Sequence, residues 1–363
     1  MDDNSNWFFN LDIGSSLTPW ILGGIGVLVI VWCVLRGRKH KRWYFWPLPL
    51  ILPILVLIAG SLVNNYFGLY PRLGDLLASY NFATGGPALL HARGGNYPQG
   101  ITAEVAIPSP ASGVGTQDAM VWLPPQYFSQ PNASFPVVYL IAGTPGDDAD
   151  WSTGGNATQT GLSNAQAGHP AILVNAPVLA NRLQDTECVD SNSQGNWQTY
   201  LTVDIPNYIN KNARTLAGPK GQAMAGLSMG GYCAQAAALR NPTKFGVFGN
   251  FSGTSMPTYS GGIGNLFTDV PDPQAAAQPY SSLWIIKNQP QSRTVIGQVM
   301  VGEQDKPSLI ADEKAFVAAA QSYGMNVSFY TWPGAHDFYF WAQALEKWLP
   351  WALSHMTPPT EKK

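Results

Sequence analysis

Gly226-Leu-Ser-Met-Gly230 lies between a short apolar run, Gly221-Gln-Ala-Met-Ala225, and a stretch of small residues, Met229 to Arg240. The run reads as a buried strand. The stretch reads as a helix stopped by Asn241-Pro242. A strand that enters a helix through so tight a turn holds the central residue in a strained conformation, and the flanking glycines let the two backbones approach. The pattern therefore predicts Ser228 with its hydroxyl exposed at the head of a helix. Backbone N–H groups there point at developing negative charge.

The chain around this turn alternates strand and helix. Ile101 to Ile107 alternates apolar and polar side chains, and Ala119 to Leu123 follows it. Pro136 to Ala142 and Ala171 to Asn175 are continuous apolar runs, as expected of buried parallel strands. Phe245 to Phe251, Thr294 to Val301 and Val327 to Trp332 complete the predicted strands. Helices are predicted over Tyr200 to Asn212, Ser308 to Tyr323 and Phe338 to Ser354, with Gly324 as a left-handed cap. Such alternation implies an α/β fold with a mostly parallel sheet covered on both faces.

A serine hydroxyl needs a base. Of five histidines, His40 lies in a basic run, His91 in a connector and His355 near the C-terminal end. His169 precedes a strand, at the wrong end of the sheet. His336, in Pro333-Gly-Ala-His-Asp337, follows one strand and precedes the last helix, above the carboxyl ends where open α/β sheets build sites. Val301-Gly-Glu-Gln-Asp305 ends another strand and offers Asp305 as the acid that orients the imidazole, with Glu303 as the alternative. The order Ser228, Asp305, His336 is that of α/β hydrolases. An oxyanion hole needs two donors. The N–H of Met229 is one, and the N–H of Thr144, after the Pro136–Ala142 strand, is the other; Pro145 cannot donate.

Charge locates the N-terminal part. The chain has 20 basic and 22 acidic residues in 363, a formal net charge of −2, which excludes a basic nucleic-acid binder. Ile13 to Leu35 and Trp43 to Tyr70 carry no charge, and each reaches the ~20 residues a bilayer span requires. Between them, residues 36–42 (Arg-Gly-Arg-Lys-His-Lys-Arg) hold five of the 20 basic residues. The positive-inside rule places that loop in the cytoplasm and both flanking termini outside. Trp43, Tyr44, Trp46, Tyr66 and Tyr70 fit interfacial anchors. The expected organisation is a transmembrane hairpin over 1–63, with spans at about 14–35 and 44–63. A connector (64–99), a catalytic domain (100–356) and a polar tail (357–363) complete the chain. A rival reading takes the second apolar stretch as a signal peptide cleaved near Ala59-Gly60-Ser61; both readings export the C-terminal portion. Residues 71–80 are read as a short helix on the membrane surface.

Cys33 falls in the first span, leaving Cys188 and Cys233 as an even pair in an oxidising compartment, which suggests a disulfide. Asp147, Asp148 and Asp150 read as a solvated turn in preference to a calcium site, since no EF-hand pattern surrounds them. No zinc pattern or nucleotide-binding glycine loop is present, so no metal and no cofactor are expected, and no oligomeric state is assigned.

Taken together, Val138-Tyr-Leu-Ile-Ala-Gly143 with Trp151, Gly226-Leu-Ser-Met-Gly-Gly231, Gly302-x-x-Asp305 and Pro333-Gly-Ala-His-Asp-Phe-Tyr-Phe-Trp341 resemble the esterase D-like serine esterases. That grouping includes the secreted mycolyltransferases of actinobacteria. Asp185-Thr-Glu-Cys188 followed by Thr199-Tyr-Leu-Thr-Val-Asp204 is similar to a stretch in actinobacterial members. The resemblance covers roughly Ile101 to Leu353 and implies an α/β-hydrolase fold with Ser228 as nucleophile, His336 as base and Asp305 as acid. Three features depart from the trehalose-using members: Ala142-Gly-Thr-Pro145 carries no sugar-holding arginine, Asp305 stands where they use glutamate, and Gly231 stands where they have alanine. The expectation is a membrane-tethered, extracytoplasmic serine esterase or acyltransferase, acting on a lipid or glycolipid ester of the cell envelope. A non-catalytic envelope-binding protein and a serine peptidase are the alternatives.

Overall fold

In a computed structural model of the chain, residues 11–37, 48–67, 70, 72–78 and 84–361 are described. The chain divides into two compact units, Met1–Asn81 with Asp337–Tyr339 and Phe82–His336 with Phe340–Lys363.

In the first unit, α1 (Thr18–Gly37) and α2 (Leu48–Phe67) follow the two charge-free stretches, and α3 spans Leu73–Ala78. Asn64 Nδ2 donates to the Ile13 carbonyl at 3.2 Å and Asn65 Nδ2 to Ser15 at 2.9 Å, so the end of α2 meets the approach to α1. Thr18–Leu35 is long and apolar enough to cross a membrane, whereas the apolar part of α2, Ile51–Asn65, is shorter. Pro53 sits inside α2. The basic residues 38–42 and the anchors Trp43, Tyr44 and Trp46 lie outside the described residues.

The second unit is an α/β-hydrolase-like fold around a nine-stranded sheet. Its strands are β1 (Thr84–Gly85), β2 (Ile101–Ile107), β3 (Gln117–Leu123), β4 (Val137–Ile141), β5 (Ile172–Ala176), β6 (Gln222–Leu227), β7 (Val247–Phe251), β8 (Ile296–Gly302) and β9 (Val327–Trp332). They lie in the order β1-β2-β3-β5-β4-β6-β7-β8-β9. Only β3 runs against its two neighbours; the other pairings are parallel. Every residue of β4, β5, β6 and β7 is buried, which is why they read as mainly apolar runs. The edge strand β9 alternates less cleanly and is half exposed.

Among the helices, α4 (Ala157–Gln166) precedes β5, and α5 (Ile205–Asn212) precedes β6. The helix expected over Tyr200 to Asn212 is interrupted: it starts at Trp197, passes through a π-helical turn at Tyr200–Asp204 and then becomes α5. Pro206, lacking an N–H, sits where such a ladder changes register. α6 (Met229–Arg240), α7 (Pro307–Ser322) and α8 (Phe338–Ser354) follow β6, β8 and β9. Within the stretch read as a connector, β1 pairs with β2 and Leu90 is buried in the core. In the stretch read as a tail, Thr360–Glu361 pairs with Ala133–Ser134, while residues 362–363 lie outside the described residues.

Candidate active site

Ser228 links β6 to α6 at φ 53° and ψ −125°, a strained conformation for a residue bearing a Cβ. The glycines around it are required by contact. A Cβ on Gly226 would lie 2.0 Å from the Gly230 carbonyl oxygen, and one on Gly230 would lie 2.2 Å from that of Ile141. The Ser228 N–H donates to the Phe251 carbonyl at 2.8 Å, fixing the turn to β7.

Two loops at the carboxyl ends of β8 and β9 meet above it. The Glu303 N–H donates to Trp332 O at 3.0 Å and the Gln304 N–H to Gly334 O at 2.9 Å. Gly302 leaves room for this, since a Cβ there would lie 2.3 Å from Gly334 O. The pairing brings Asp305 to His336: Oδ1 lies 2.7 Å from Nδ1, and the other ring nitrogen, Nε2, lies 2.9 Å from Ser228 Oγ. Glu303, the alternative acid, is exposed and makes no such contact. The His336 side chain is 41% exposed, whereas that of Asp305 is 1% exposed. Burial pushes the Asp305 carboxyl up, but the hydrogen bond and charge of His336 outweigh it, helped by the Ser252 hydroxyl, and hold it below the usual carboxylate range. The Trp341 ring meets the imidazole edge-on, with centroids 4.9 Å apart. His169, by contrast, is exposed before β5, at the opposite end of the sheet.

Neither the Met229 N–H nor the Thr144 N–H donates to an acceptor among the described residues. Both residues line the same cleft as Ser228 and His336. The Thr144 side chain is tied down separately, its hydroxyl donating to Gln184 O at 3.1 Å. The Met229 N–H, at the head of a 12-residue helix, and the Thr144 N–H, from the loop after β4, are suited to holding an oxyanion.

The expectation of a solvated acidic turn is corrected. Asp150 is only 5% exposed, and the guanidinium of Arg182 bridges it and Asp147. Gly146 N–H also donates to Arg182 O at 3.0 Å. Arg182 comes from the loop after β5, 32 residues beyond Asp150, so local spacing gave no sign of it. Burial first, then the neighbouring Asp147, pushes Asp148 to about 6 and Asp150 to about 6. Among the described residues no group of three or more His, Cys, Asp or Glu side chains is placed to hold a metal.

Cys188 and Cys233 are disulfide-bonded, with Cα atoms 5.6 Å apart. The bridge fastens the loop after β5 to the second turn of α6. That loop forms one wall of a cleft of about 840 Å³, lined also by Leu183, Ser252, Met256, Leu309 and the three hydrogen-bonded residues Ser228, His336 and Asp305. Ser252 and Arg182 carry no local motif and sequence reasoning missed both, while Trp341 was read within the His336 segment but without its ring contact to the imidazole.

Comparison with known proteins agrees with the fold. A family model described as "Putative esterase" matches residues 115–352. An uncharacterized protein of Corynebacterium glutamicum is 28% identical over 355 residues, covering 92% of this chain and 81% of that protein. The MPT51/MPB51 antigen of Mycobacterium tuberculosis is 37% identical over 123 residues, 33% of this chain and 38% of the antigen. Among solved structures, a ferulic acid esterase superposes with a TM-score of 0.59 at 20% identity, covering 70% of this chain and 97% of that one.

Proposed function

The chain belongs to the esterase family of α/β hydrolases, of the kind that includes mycolyltransferase-type enzymes, and from that premise we propose that Ser228 is its nucleophile in a serine esterase or acyltransferase reaction. Ser228 Oγ attacks the acyl carbonyl carbon while His336 Nε2 takes its proton. Asp305 keeps the other ring nitrogen protonated and stabilises the imidazolium. The N–H groups of Met229 and Thr144 hold the oxyanion. Collapse of the tetrahedral intermediate breaks the ester C–O bond, and His336 returns the proton to the departing alcohol. Water or an acceptor hydroxyl then attacks the acyl-enzyme by the reverse sequence.

The observation that carries this reading is the pair of distances on one imidazole, 2.9 Å to Ser228 Oγ and 2.7 Å to Asp305 Oδ1. Mutagenesis tests it directly: Ser228→Ala lowers ester turnover by at least ~10³-fold without changing the fold. Full turnover by that variant would refute the assignment.

The same proposal extends to location. α1 and α2 form a membrane hairpin with residues 36–42 in the cytoplasm, and the catalytic unit lies outside, near ester lipids or glycolipids of the envelope. Support comes from the apolar length of Thr18–Leu35 and from the five basic residues that follow it. Protease added outside intact spheroplasts digests the catalytic unit if the orientation is right, and spares it if the unit is cytoplasmic.

A further inference from the structure

One wall of the cleft carries two carboxyls that the proposed chemistry does not use. Asp185 and Glu187 both line it together with Ser228. Glu187 is 3% exposed. The Thr258 hydroxyl donates to its Oε1 at 3.4 Å, but Oε2 is buried with no hydrogen-bond partner. Asp185 shows the same asymmetry. The backbone N–H groups of Glu187 and Ser260 favour its charge, while Oδ1 is buried and unpartnered. The Tyr232 phenol, which feels the Glu187 charge, donates instead to Tyr280 O at 3.0 Å. Buried polar atoms are almost always satisfied in a folded protein, and each exception calls for a partner such as a water, an ion or a ligand group.

The backbone that presents these carboxyls is held against its own preference. Glu187 and Cys188 are consecutive non-glycine residues with φ of 48° and 44°. Strain of this kind persists only where the surroundings over-determine it. Three constraints do so: the Cys188–Cys233 bridge, the Thr186 hydroxyl donating to Val178 O at 2.9 Å, and the Cys188 N–H donating to that hydroxyl at 3.2 Å. Cys233 lies five residues along α6 from Ser228, about 7.5 Å of helix rise, so the bridge sets the carboxyls close to the nucleophile.

Charge in the cleft points to the sign of the missing partner. Asp305 Oδ1 is already engaged by His336 Nδ1 at 2.7 Å, and Asp312 accepts from the Ser255 N–H and hydroxyl at 2.7 and 2.9 Å. Among the described lining residues, Lys306 is the single lysine or arginine, and it is exposed. When ionised, both open positions are acceptors only, and in that state they call for a ligand that brings donors and positive charge. We propose that Asp185 and Glu187 form a cation subsite of this cleft, which takes a primary ammonium group carried by the ester or by its acceptor. The inference rests on the serine esterase reading above. Burial, and for Glu187 the neighbouring Asp185 as well, pushes both carboxyls up. An arriving ammonium group supplies the hydrogen bonds and the countercharge that each ionised carboxylate lacks.

The test uses the full chain in detergent, turning over p-nitrophenyl butyrate. n-Butylammonium and methyl propyl ether, equal in heavy-atom number, compete for the cleft, and 1-butanol is the hydroxyl control. The subsite predicts that the ammonium inhibits at about tenfold lower concentration than the ether, the ratio that ~1.4 kcal/mol of charge-assisted bonding gives. Glu187→Gln and, separately, Asp185→Asn erase that preference. The ratio is internal to each variant and so survives any change in its overall rate. Equal inhibition by ammonium and ether in the unaltered chain, or a ratio unchanged in both variants, overturns the subsite. Faster p-nitrophenol release with butanol and no ammonium preference assigns the wall to hydroxyl groups, and overturns it too. Turnover without ammonium preference defeats this inference alone. Absence of both turnover and fluorophosphonate labelling in the unaltered chain defeats the esterase reading, and this inference with it.

Discussion

Trp20 in α1 is 77% exposed, while Trp151, Trp197 and Trp348 in the second unit are almost wholly buried. Composition does not foretell this contrast. Residues 1–63 hold eight charged side chains and the remaining 300 hold 34, nearly equal densities, and both lie far below the roughly 25% usual for soluble proteins. The two units differ in which way their apolar side chains face. The second buries them against a sheet and covers its surface with Asn, Gln, Ser, Thr and Gly. The first leaves Ile21, Leu28, Leu55 and Val56 exposed on its helices, as a segment solvated by lipid would. Low charge therefore has two settings in one chain: helices with exposed apolar side chains, and the charge-poor surface of a unit packed around a sheet.

This contrast assigns all the chemistry to the second unit, and perturbations there should act without help from the first. The largest effect is expected from Asp305→Asn. It leaves the fold intact, removes the charge that stabilises the imidazolium, and lowers kcat/KM by on the order of 10³–10⁴-fold; steady-state kinetics on a neutral ester measures it. Next comes the bridge. Opening it in the Cys188→Ser, Cys233→Ser double variant frees a loop with a sequence separation of 45. The chain-entropy relation puts the loss near 4 kcal/mol, read as a lower denaturant midpoint of the second unit.

A smaller effect concerns pH. Asp148 titrates at about 6 in the folded chain against an ordinary 3.8. The folded state thus binds more protons than the unfolded state between roughly pH 4 and 6, so stability declines as pH rises through that window and stays lowered above it. Asp148→Asn removes this penalty. It should raise the melting temperature at pH 7 by about 2 °C, on the order of 1 kcal/mol, and flatten the pH profile below pH 6. The smallest effect on turnover is expected from deleting residues 1–81, the N-terminal part of the first unit. A chain beginning at residue 82 should stay in solution without detergent and hydrolyse a soluble ester about as fast as the full chain. Loss of turnover in that chain would break the comparison.

Much of the fold and site was legible in the sequence because it is written locally. Gly226 to Gly230 announces its turn, since only glycine tolerates the carbonyl contacts around Ser228. β4 to β7 are buried throughout and therefore largely apolar, with Asn175, Gln222 and Asn250 as the polar exceptions. His336 and Asp305 follow predicted strands, and strand ends are where such sheets place side chains for chemistry. What escaped depends on contacts distant in sequence. Arg182 reaches back to Asp147 and Asp150, turning an expected solvated turn into a half-buried ion pair. Ser252 joins the cleft only because β7 and β8 are adjacent, its N–H donating to Met300 O at 2.8 Å. α4 escaped for another reason: Ala157–Gln166 (ATQTGLSNAQ) is a polar, glycine-containing segment whose burial comes from packing, with little apolar periodicity to mark it.

The central claim is that Ser228 is the reactive nucleophile of a serine esterase or acyltransferase. Treating the folded chain with a fluorophosphonate and locating the adduct by peptide mass spectrometry tests it most directly. The account predicts one stoichiometric adduct on the peptide containing Ser228, abolished by His336→Ala. An adduct on another residue, or none while ester turnover persists, would contradict it.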